Sequence, residues 1–213
     1  ARTVPALLAV VIALLLAVVV ALLGASAARA DTTASCNVAK GPDFVFTTDD
    51  DGLECGENST SAGGNATAVG NDASASGNLS VALGDHASAM ATGATAVGQF
   101  AQAGDQTSDS LASAFGQSAQ ATAPGATAIG ATSDATGTNT VAIGIFAIAS
   151  ASDALAIGRL AQARSDDAVA IGRAADAAGA DAVALGAGSD AAGAQALALG
   201  PAATANGVES VAL

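Results

Sequence analysis

Small and aliphatic residues recur along this chain with a period of fourteen. A glycine stands at each of positions 144, 158, 172, 186 and 200. Upstream, the repeat continues with glycines at 130, 116, 98, 84, 70 and 56. Only the step from 98 to 116 departs, at eighteen residues, so that unit carries a four-residue insertion, which lies within 104–110. A short fixed period is typical of a solenoid, in which each repeat forms one coil that stacks on the next.

The first half of each unit predicts a strand with two apolar faces. The residue before each glycine from 70 onward is aliphatic or Phe, the one before it is alanine, and the third is Thr, Ser, Val or Leu, as in Val141-Ala142-Ile143. Because successive side chains of a strand point to opposite faces, the aliphatic columns share one face and the alanines occupy the other. We expect burial on both sides, although the pattern leaves open which face lines the coil.

The second half of each unit predicts a strand with one buried and one solvent-exposed face. It runs Ala-x-Ala with a mostly polar middle residue, as in Ala73-Ser74-Ala75 and Ala161-Gln162-Ala163. The glycine column supplies a tight corner, where a residue with φ > 0 is expected, and a weaker glycine column marks a second corner. The sequence therefore predicts an all-β solenoid of eleven coils over residues 56–213.

The composition predicts self-association. The chain is 51% hydrophobic but only 2% aromatic, with no Trp or Tyr, so most inward positions are alanine. Ordering each residue costs about 1.5 kcal/mol, which such small side chains offset poorly. Another copy of the doubly apolar strand is the simplest cover for its second face, and we expect a homo-oligomer.

The repeated units carry a resemblance to a known family. Ser80-Val81-Ala82-Leu83-Gly84 and Thr140-Val141-Ala142-Ile143-Gly144, repeated in phase from Gly56 to Leu213, resemble the head repeat of trimeric autotransporter adhesins, the YadA-like family. The resemblance implies a homotrimer in which each chain winds a left-handed parallel β-roll. It also implies an adhesin head on the bacterial surface that binds host or abiotic surfaces and mediates cell adhesion or autoagglutination.

The same resemblance implies partners and an attachment. An extracellular-matrix protein or another cell surface is the expected ligand, and attachment to the outer membrane would run through a region absent from this chain. No neck, coiled-coil stalk or membrane barrel follows Leu213. We therefore expect either a fragment of a longer adhesin or a head that is released or attached in another way. A secreted structural β-solenoid without an adhesin role is the alternative.

Residues 1–30 are predicted to be a secretory signal peptide. Arg2 precedes an apolar run over 4–23, and Ala28-Arg29-Ala30 fits a small-x-small cleavage site. The run is also long enough to span a bilayer, so an uncleaved anchor remains the alternative.

Residues 31–55 fall outside the repeat and are interpreted as an N-terminal cap. They hold both cysteines of the chain, Cys36 and Cys55, and a strand-like run, Phe44–Thr48. The first coil of a solenoid exposes strand edges, which need cover. We expect a Cys36–Cys55 disulfide that closes this cap, as suits an exported protein, with two free thiols as the alternative.

The charge balance excludes nucleic acid as a partner. Without residues 1–30, four basic residues face nineteen acidic ones, a net charge of −15. Such a surface repels nucleic acids and anionic membranes and favours the solubility of an apolar rod.

One cluster of residues is a candidate ligand-binding patch. Ile145, Phe146 and Ile148 occupy positions that are polar in other units, and Arg159 and Arg173 follow successive corner glycines nearby. An apolar centre beside a charged rim resembles a binding site. Alternatively, the apolar side chains fold over a corner or pack against a neighbouring chain. The arginines, with Arg164, could instead pair with acidic residues, namely Asp153, Asp166, Asp167 and Asp176. The 105–110 loop is a second candidate.

Other candidate chemistry is weak. Asp153, Asp167 and Asp181 stack one coil apart and could share a cation, or they could simply suit turns.

His86 is the only histidine, and no Ser/His/Asp set, Cys/His pair or phosphate loop can be assembled from the sequence. We expect no enzyme activity, cofactor, metal or small-molecule substrate. The left-handed β-helices of acyltransferases are built from six-residue faces. A coil of fourteen residues does not divide into such faces, which argues against this class of enzyme. An ice-binding solenoid would need a regular threonine array, but Thr67, Thr95 and Thr127 alternate with other residues.

Overall fold

The computed structural model describes residues 36–39, 52–105 and 111–213, and every regular element in them is a β-strand. In chain order the strands are β1 (Cys36–Ala39), β2 (Gly52–Cys55), β3 (Thr67–Val69), β4 (Ser74–Ala75), β5 (Val81–Leu83), β6 (Ser88–Ala89), β7 (Thr95–Val97), β8 (Gln102–Ala103), β9 (Ser113–Phe115), β10 (Gln120–Ala121), β11 (Thr127–Ile129), β12 (Asp134–Ala135), β13 (Val141–Ile143), β14 (Ile148–Ala149), β15 (Leu155–Ile157), β16 (Gln162–Ala163), β17 (Val169–Ile171), β18 (Asp176–Ala177), β19 (Val183–Leu185), β20 (Asp190–Ala191), β21 (Leu197–Leu199), β22 (Thr204–Ala205) and β23 (Val211–Ala212). No helix in these ranges is long and apolar enough to cross a membrane.

The strands form two sheets that run the length of the coil stack. The long sheet has thirteen strands in the order β1-β2-β3-β5 and then every odd-numbered strand to β23. The short sheet has ten, the even-numbered strands from β4 to β22. Apart from β1 with β2, neighbours pair in parallel, and residues fourteen apart lie opposite one another, as Ala142 does with Ala156. The predicted all-β solenoid of fourteen-residue coils is confirmed.

The insertion leaves the ladder intact. Val97 still pairs with Phe115 across the eighteen-residue unit, so the extra residues add no rung to the long sheet. Residues 106–110 lie outside the described ranges, and most of the candidate binding loop lies there.

Alanine is the main residue that lines the lumen between the two sheets, with a few buried serines and Thr140 among them. Every buried hydrophobic residue in the described ranges is an alanine, from Ala66 to Ala205, and Ala142 and Ala156 are 0% exposed. The middle residue of each long-sheet strand and the alanines of Ala-x-Ala meet in this lumen, so the aliphatic columns point outward. This decides the question that the sequence left open.

Both corners of a coil are the same four-residue turn. At the first corner, Gly144–Ala147, the Ala147 amide donates to the Gly144 carbonyl over 3.1 Å. At the second, the Ala154 amide donates to the Ala151 carbonyl over 3.3 Å. The third residue of each turn has a left-handed backbone, with φ of 58° at Phe146 and at Asp153, as in a type II turn. Gly144 itself has φ of 131°, so the predicted positive φ at the corner glycine is confirmed.

Substituting Gly144 with Ala is expected to destabilise the fold by about 3 kcal/mol or more. A Cβ there would lie 2.6 Å from the carbonyl oxygen of Gly158 in the next coil, on a backbone that L-residues rarely adopt. Gly188→Ala is the control, because that glycine has φ of 69° and nothing within 4 Å of an added Cβ; it should cost about 1–2 kcal/mol at most. Urea unfolding measures both variants, and equal losses would contradict the proposed close contact between coils.

The parallel ladder begins inside the segment that the sequence assigned to the cap. Strand β2 pairs with β3 in the repeat register, Leu53 opposite Thr67, so Glu54 takes the place of a lumen alanine. The Oε1 atom of the Glu54 carboxylate accepts hydrogen bonds from the Ser61 amide at 2.6 Å and the Ser61 hydroxyl at 3.2 Å. These bonds provide donors for the partly buried carboxylate.

Strand β1 closes the N-terminal edge of the long sheet. It pairs with β2 in the antiparallel sense, with Cys36 opposite Cys55, and a disulfide joins the two cysteines. The predicted signal peptide and the run Phe44–Thr48 lie outside the described residues.

Candidate functional site

The long sheet presents a largely aliphatic face, called the aliphatic face below, to the outside of the single chain. It is formed by the first and third residues of each odd-numbered strand from β3 on, and Phe115, Ile129, Leu185 and Leu199 are each 40% exposed. Apolar faces of this extent mark interaction surfaces. The threonine column lies here too, where Thr127 pairs with Ser113 and Val141. A mixed column of this kind does not provide the regular threonine array of an ice-binding solenoid.

The predicted apolar patch lies away from the aliphatic face. Ile145 and Phe146 are 48% and 47% exposed at the first corner, and Ile148 is half-buried in the outward column of the short sheet. Leu160, one coil further on in the same turn position as Phe146, is 37% exposed and extends the patch. Leu160 was not predicted as part of the patch, although it follows its corner glycine by two residues, as Phe146 does.

The arginines near this patch differ in their pairing. Arg164 forms an ion pair with Asp176, as one of the alternatives predicted. Arg159 and Arg173 are exposed and pair with no acidic side chain in the described part of the chain. The structure therefore leaves two adjacent guanidinium groups beside exposed apolar side chains.

His86 lies in a polar ladder at the first corners of the earlier coils. Its Nδ1 atom is 3.1 Å from the Asp85 carboxylate, and its ring centroid is 4.8 Å from that of Phe100. Hydrogen bonds from Gln99 and His86 hold the pKa of Asp85 below its usual value. Two carboxylates and a phenyl ring surround His86.

The Asn and Asp column before the corner glycine is explained by backbone conformation. Asn139, Asp153, Asp167 and Asp181 have φ between 55° and 58°, a region that Asn and Asp tolerate better than most residues. The Asn139 amide donates to the Asp153 carboxylate over 3.2 Å. No three acidic, His or Cys side chains in the described residues are placed to hold a metal ion.

A small cavity opens on the outer surface beside Phe146. Its volume is about 150 Å³, and it is lined by Ser118, Gln120, Thr132, Ser133, Asp134, Phe146 and Ile148. The Oδ1 atom of Asp134 is buried and accepts no hydrogen bond from the described residues. Burial raises the pKa of this carboxyl. Asp134 was not predicted from the sequence, although it is an acidic residue that precedes Ile148 by one coil in the same column.

The repeats match one known family. A family model described as YadA head domain repeat (2 copies) matches residues 61–87, 75–101, 111–133, 135–161, 163–189 and 191–213. The chain belongs to the YadA-like head family of trimeric autotransporter adhesins. No curated protein matches it.

Membership of the YadA-like family gives the fold its context. YadA-like heads form homotrimers and bind surfaces, and the family is bacterial, surface-exposed and anchored in the outer membrane. It is a family of structural adhesins rather than enzymes. In the described part of this YadA-like head, the aliphatic face and the Phe146 corner both expose large apolar side chains.

Asp134→Asn is expected to stabilise this YadA-like head at pH 7 and to have no such effect at pH 3. Since the folded state raises the pKa of Asp134 above its ordinary value of 3.8, stability falls as the pH rises above that ordinary value, and the loss is complete above the folded pKa. Below pH 3.8 the carboxyl is protonated in both states, which removes the cost. We expect a gain below ~1 kcal/mol, because the side chain remains partly solvated. Thermal unfolding at both pH values measures it, with Asp190→Asn as control. A gain that persists at pH 3 would contradict the assignment.

Proposed function

We propose that this chain is the head of a surface adhesin that joins two further copies through the aliphatic face. The assembled head would hold cells to a host or abiotic surface, or to one another. The observation that carries the proposal is the aliphatic face itself, which follows the long sheet along the whole coil stack.

The energetics favour assembly over exposure. Burying the exposed part of a Leu or Ile side chain such as Leu185 stabilises by roughly 1–2 kcal/mol, and the face repeats this gain coil after coil. The alanine lumen contributes little apolar area per residue, so the outer face supplies much of the hydrophobic stabilisation. Three identical faces that meet about one axis remove all of them from water.

The same arrangement leaves the short sheet and its corners free for a ligand. We propose that Ile145, Phe146 and Ile148 contact an extracellular-matrix protein or a protein of another cell surface, with Arg159 and Arg173 at the rim. Large apolar side chains surrounded by polar residues supply most binding energy in protein interfaces. The exposure of Phe146 and the unpaired state of the two arginines support this role.

Residues 1–30 are proposed to direct export, so that the head functions on the cell surface. The Cys36–Cys55 disulfide supports this proposal, because structural disulfides persist in oxidising compartments outside the cytoplasm.

Bead adhesion tests the proposal. The purified chain is coupled to beads, and retention is measured on matrix-coated and cell-covered surfaces, together with bead–bead clustering. Phe146→Ser with Ile148→Ser is expected to abolish most retention without changing the melting temperature. Phe100→Ser is the matched control, since Phe100 occupies the same turn position with φ of 57° and is 50% exposed.

Two results would count against the proposal. A lower melting temperature for the double variant would show that the cluster belongs to the packed structure rather than to a binding surface. A wild-type head that neither adheres nor clusters would contradict the adhesin function itself.

A further inference from the structure

We propose that the cavity beside Phe146 receives one basic side chain, a lysine or an arginine, of the protein ligand, and that its cationic group binds the carboxylate of Asp134. This inference rests on the proposed function and names the chemistry of the ligand at that site.

Two short ladders of side chains build the cavity. Ser118, Thr132 and Phe146 occupy the same left-handed turn position in three successive coils, with φ of 53°, 56° and 58°. Two residues further on in each coil, the outward column of the short sheet supplies the second ladder, in which Gln120, Asp134 and Ile148 pair in register. Since coils stack at a spacing of about 4.8 Å, the three rungs span about 10 Å. That length accommodates an extended basic side chain.

The chemistry of the cavity suits a cation on an alkyl stem. The carboxylate of Asp134 is part of the cavity lining, and its Oδ1 atom is buried without a donor among the described residues, as is the Oδ1 atom of Asp176. Because Asp176 binds its cation through Oδ2, we expect the corresponding oxygen of Asp134 to bind the cation of the ligand. The hydroxyl groups of Ser118 and Thr132 offer further acceptors for the remaining N–H groups. The Phe146 ring attracts a cation to its face, and Ile148 can contact the methylene groups that a lysine or arginine buries.

The chain itself provides a precedent three coils further on. Asp176 occupies the same column as Asp134 and is bound there by the guanidinium group of Arg164, twelve residues earlier. Twelve residues before Asp134 stands Thr122, which carries no charge. The fold therefore pairs an aspartate of this column with a cation at Asp176, where the chain supplies one, and at Asp134 we expect a cation from another molecule to take that place.

The surrounding charge defines the ligand further. The chain carries a net charge of −13, which attracts a basic segment to the rod. Arg159, one coil beyond Ile145, repels a second cation on that side of the cavity. The complementary segment therefore carries one lysine or arginine for the cavity and a neutral or acidic residue toward Arg159.

Titration with single-residue probes tests the inference on the full chain. The methyl NMR signals of Ile148 are followed as N-acetyl-lysine methylamide, N-acetyl-arginine methylamide or the uncharged N-acetyl-norleucine methylamide is added. We expect the two cationic probes to shift these signals and the norleucine probe to leave them unchanged. Asp134→Asn should weaken cation binding by about tenfold, and Asp190→Asn, which removes the same charge from the same column, by less than twofold.

Three outcomes would overturn the inference. These are binding of norleucine as tightly as lysine, equal losses in the two Asn variants, and unchanged bead adhesion in an Asp134→Asn head that no longer binds the cations. The last result would leave the adhesin function standing. A wild-type head without adhesion would contradict the proposed function, whatever the probes show.

Discussion

Ala142→Asp, Ala156→Asp and Ala170→Asp, combined in one chain, are expected to prevent the solenoid from folding. All three residues are 0% exposed and point into a lumen lined by alanines. A carboxylate there has no room and no cation, and an unpaired buried charge costs several kcal/mol even after relaxation. Three such costs on adjacent coils exceed the stability of a typical domain, about 5–15 kcal/mol. Circular dichroism should show loss of the β signal.

A matched triple variant separates lumen burial from added charge. Ser88→Asp, Gln162→Asp and Thr204→Asp introduce the same three carboxylates into the outward column of the short sheet, where Asp176 and Asp190 already stand. We expect this variant to retain its β signal. A lumen variant that folded as well as this one would contradict the assignment of the alanine face to the lumen.

Ile129→Lys, Leu185→Lys and Leu199→Lys are expected to separate the three chains. Each side chain is 40% exposed in the single chain, so a lysine there clashes with nothing in its own coil, but assembly would bury three charges per chain beside their copies. Each substitution removes roughly 1–2 kcal/mol of apolar burial and adds like-charge repulsion. Sedimentation should show no trimer, and the melting temperature should fall.

Lysines on the other sheet provide the comparison. Ser88→Lys, Gln162→Lys and Thr204→Lys add the same charge to the outward column of the short sheet, and we expect the trimer to persist. If the short-sheet lysines dissociated the assembly and the long-sheet lysines did not, the chains would associate through the opposite sheet from the one proposed.

The repeat made most of the fold predictable from the sequence. Each coil uses the same columns, so the strand, corner and register of one unit applied to all, and the ladder from Thr67 to Ala212 follows them. The lumen-facing side was not predictable, because both faces of the long-sheet strands are apolar. Its assignment depends on how closely the two sheets approach, because the lumen between them accepts only small side chains, mostly alanine. The first strand of the parallel ladder, β2, was not predicted, because Glu54 stands where the other units have alanine.

The corner and the site were less predictable for local reasons. A left-handed backbone at Phe146 and Leu160 runs against the preference of large side chains, and it is held there by ladder hydrogen bonds such as Phe146 N–H to the Ala131 carbonyl at 3.2 Å. The cavity draws on three coils, so no single unit of the sequence displays it. Of the residues that line the cavity, the sequence patch included Phe146 and Ile148 but not Asp134.

Sedimentation equilibrium of the purified chain at micromolar concentration tests most directly whether three chains assemble through the aliphatic face. In a lone chain, this face would remain exposed to water. The account predicts the mass of three chains, with a melting temperature that rises with protein concentration, and loss of most β structure when the chains separate. A stable, fully folded monomer under the same conditions would contradict it.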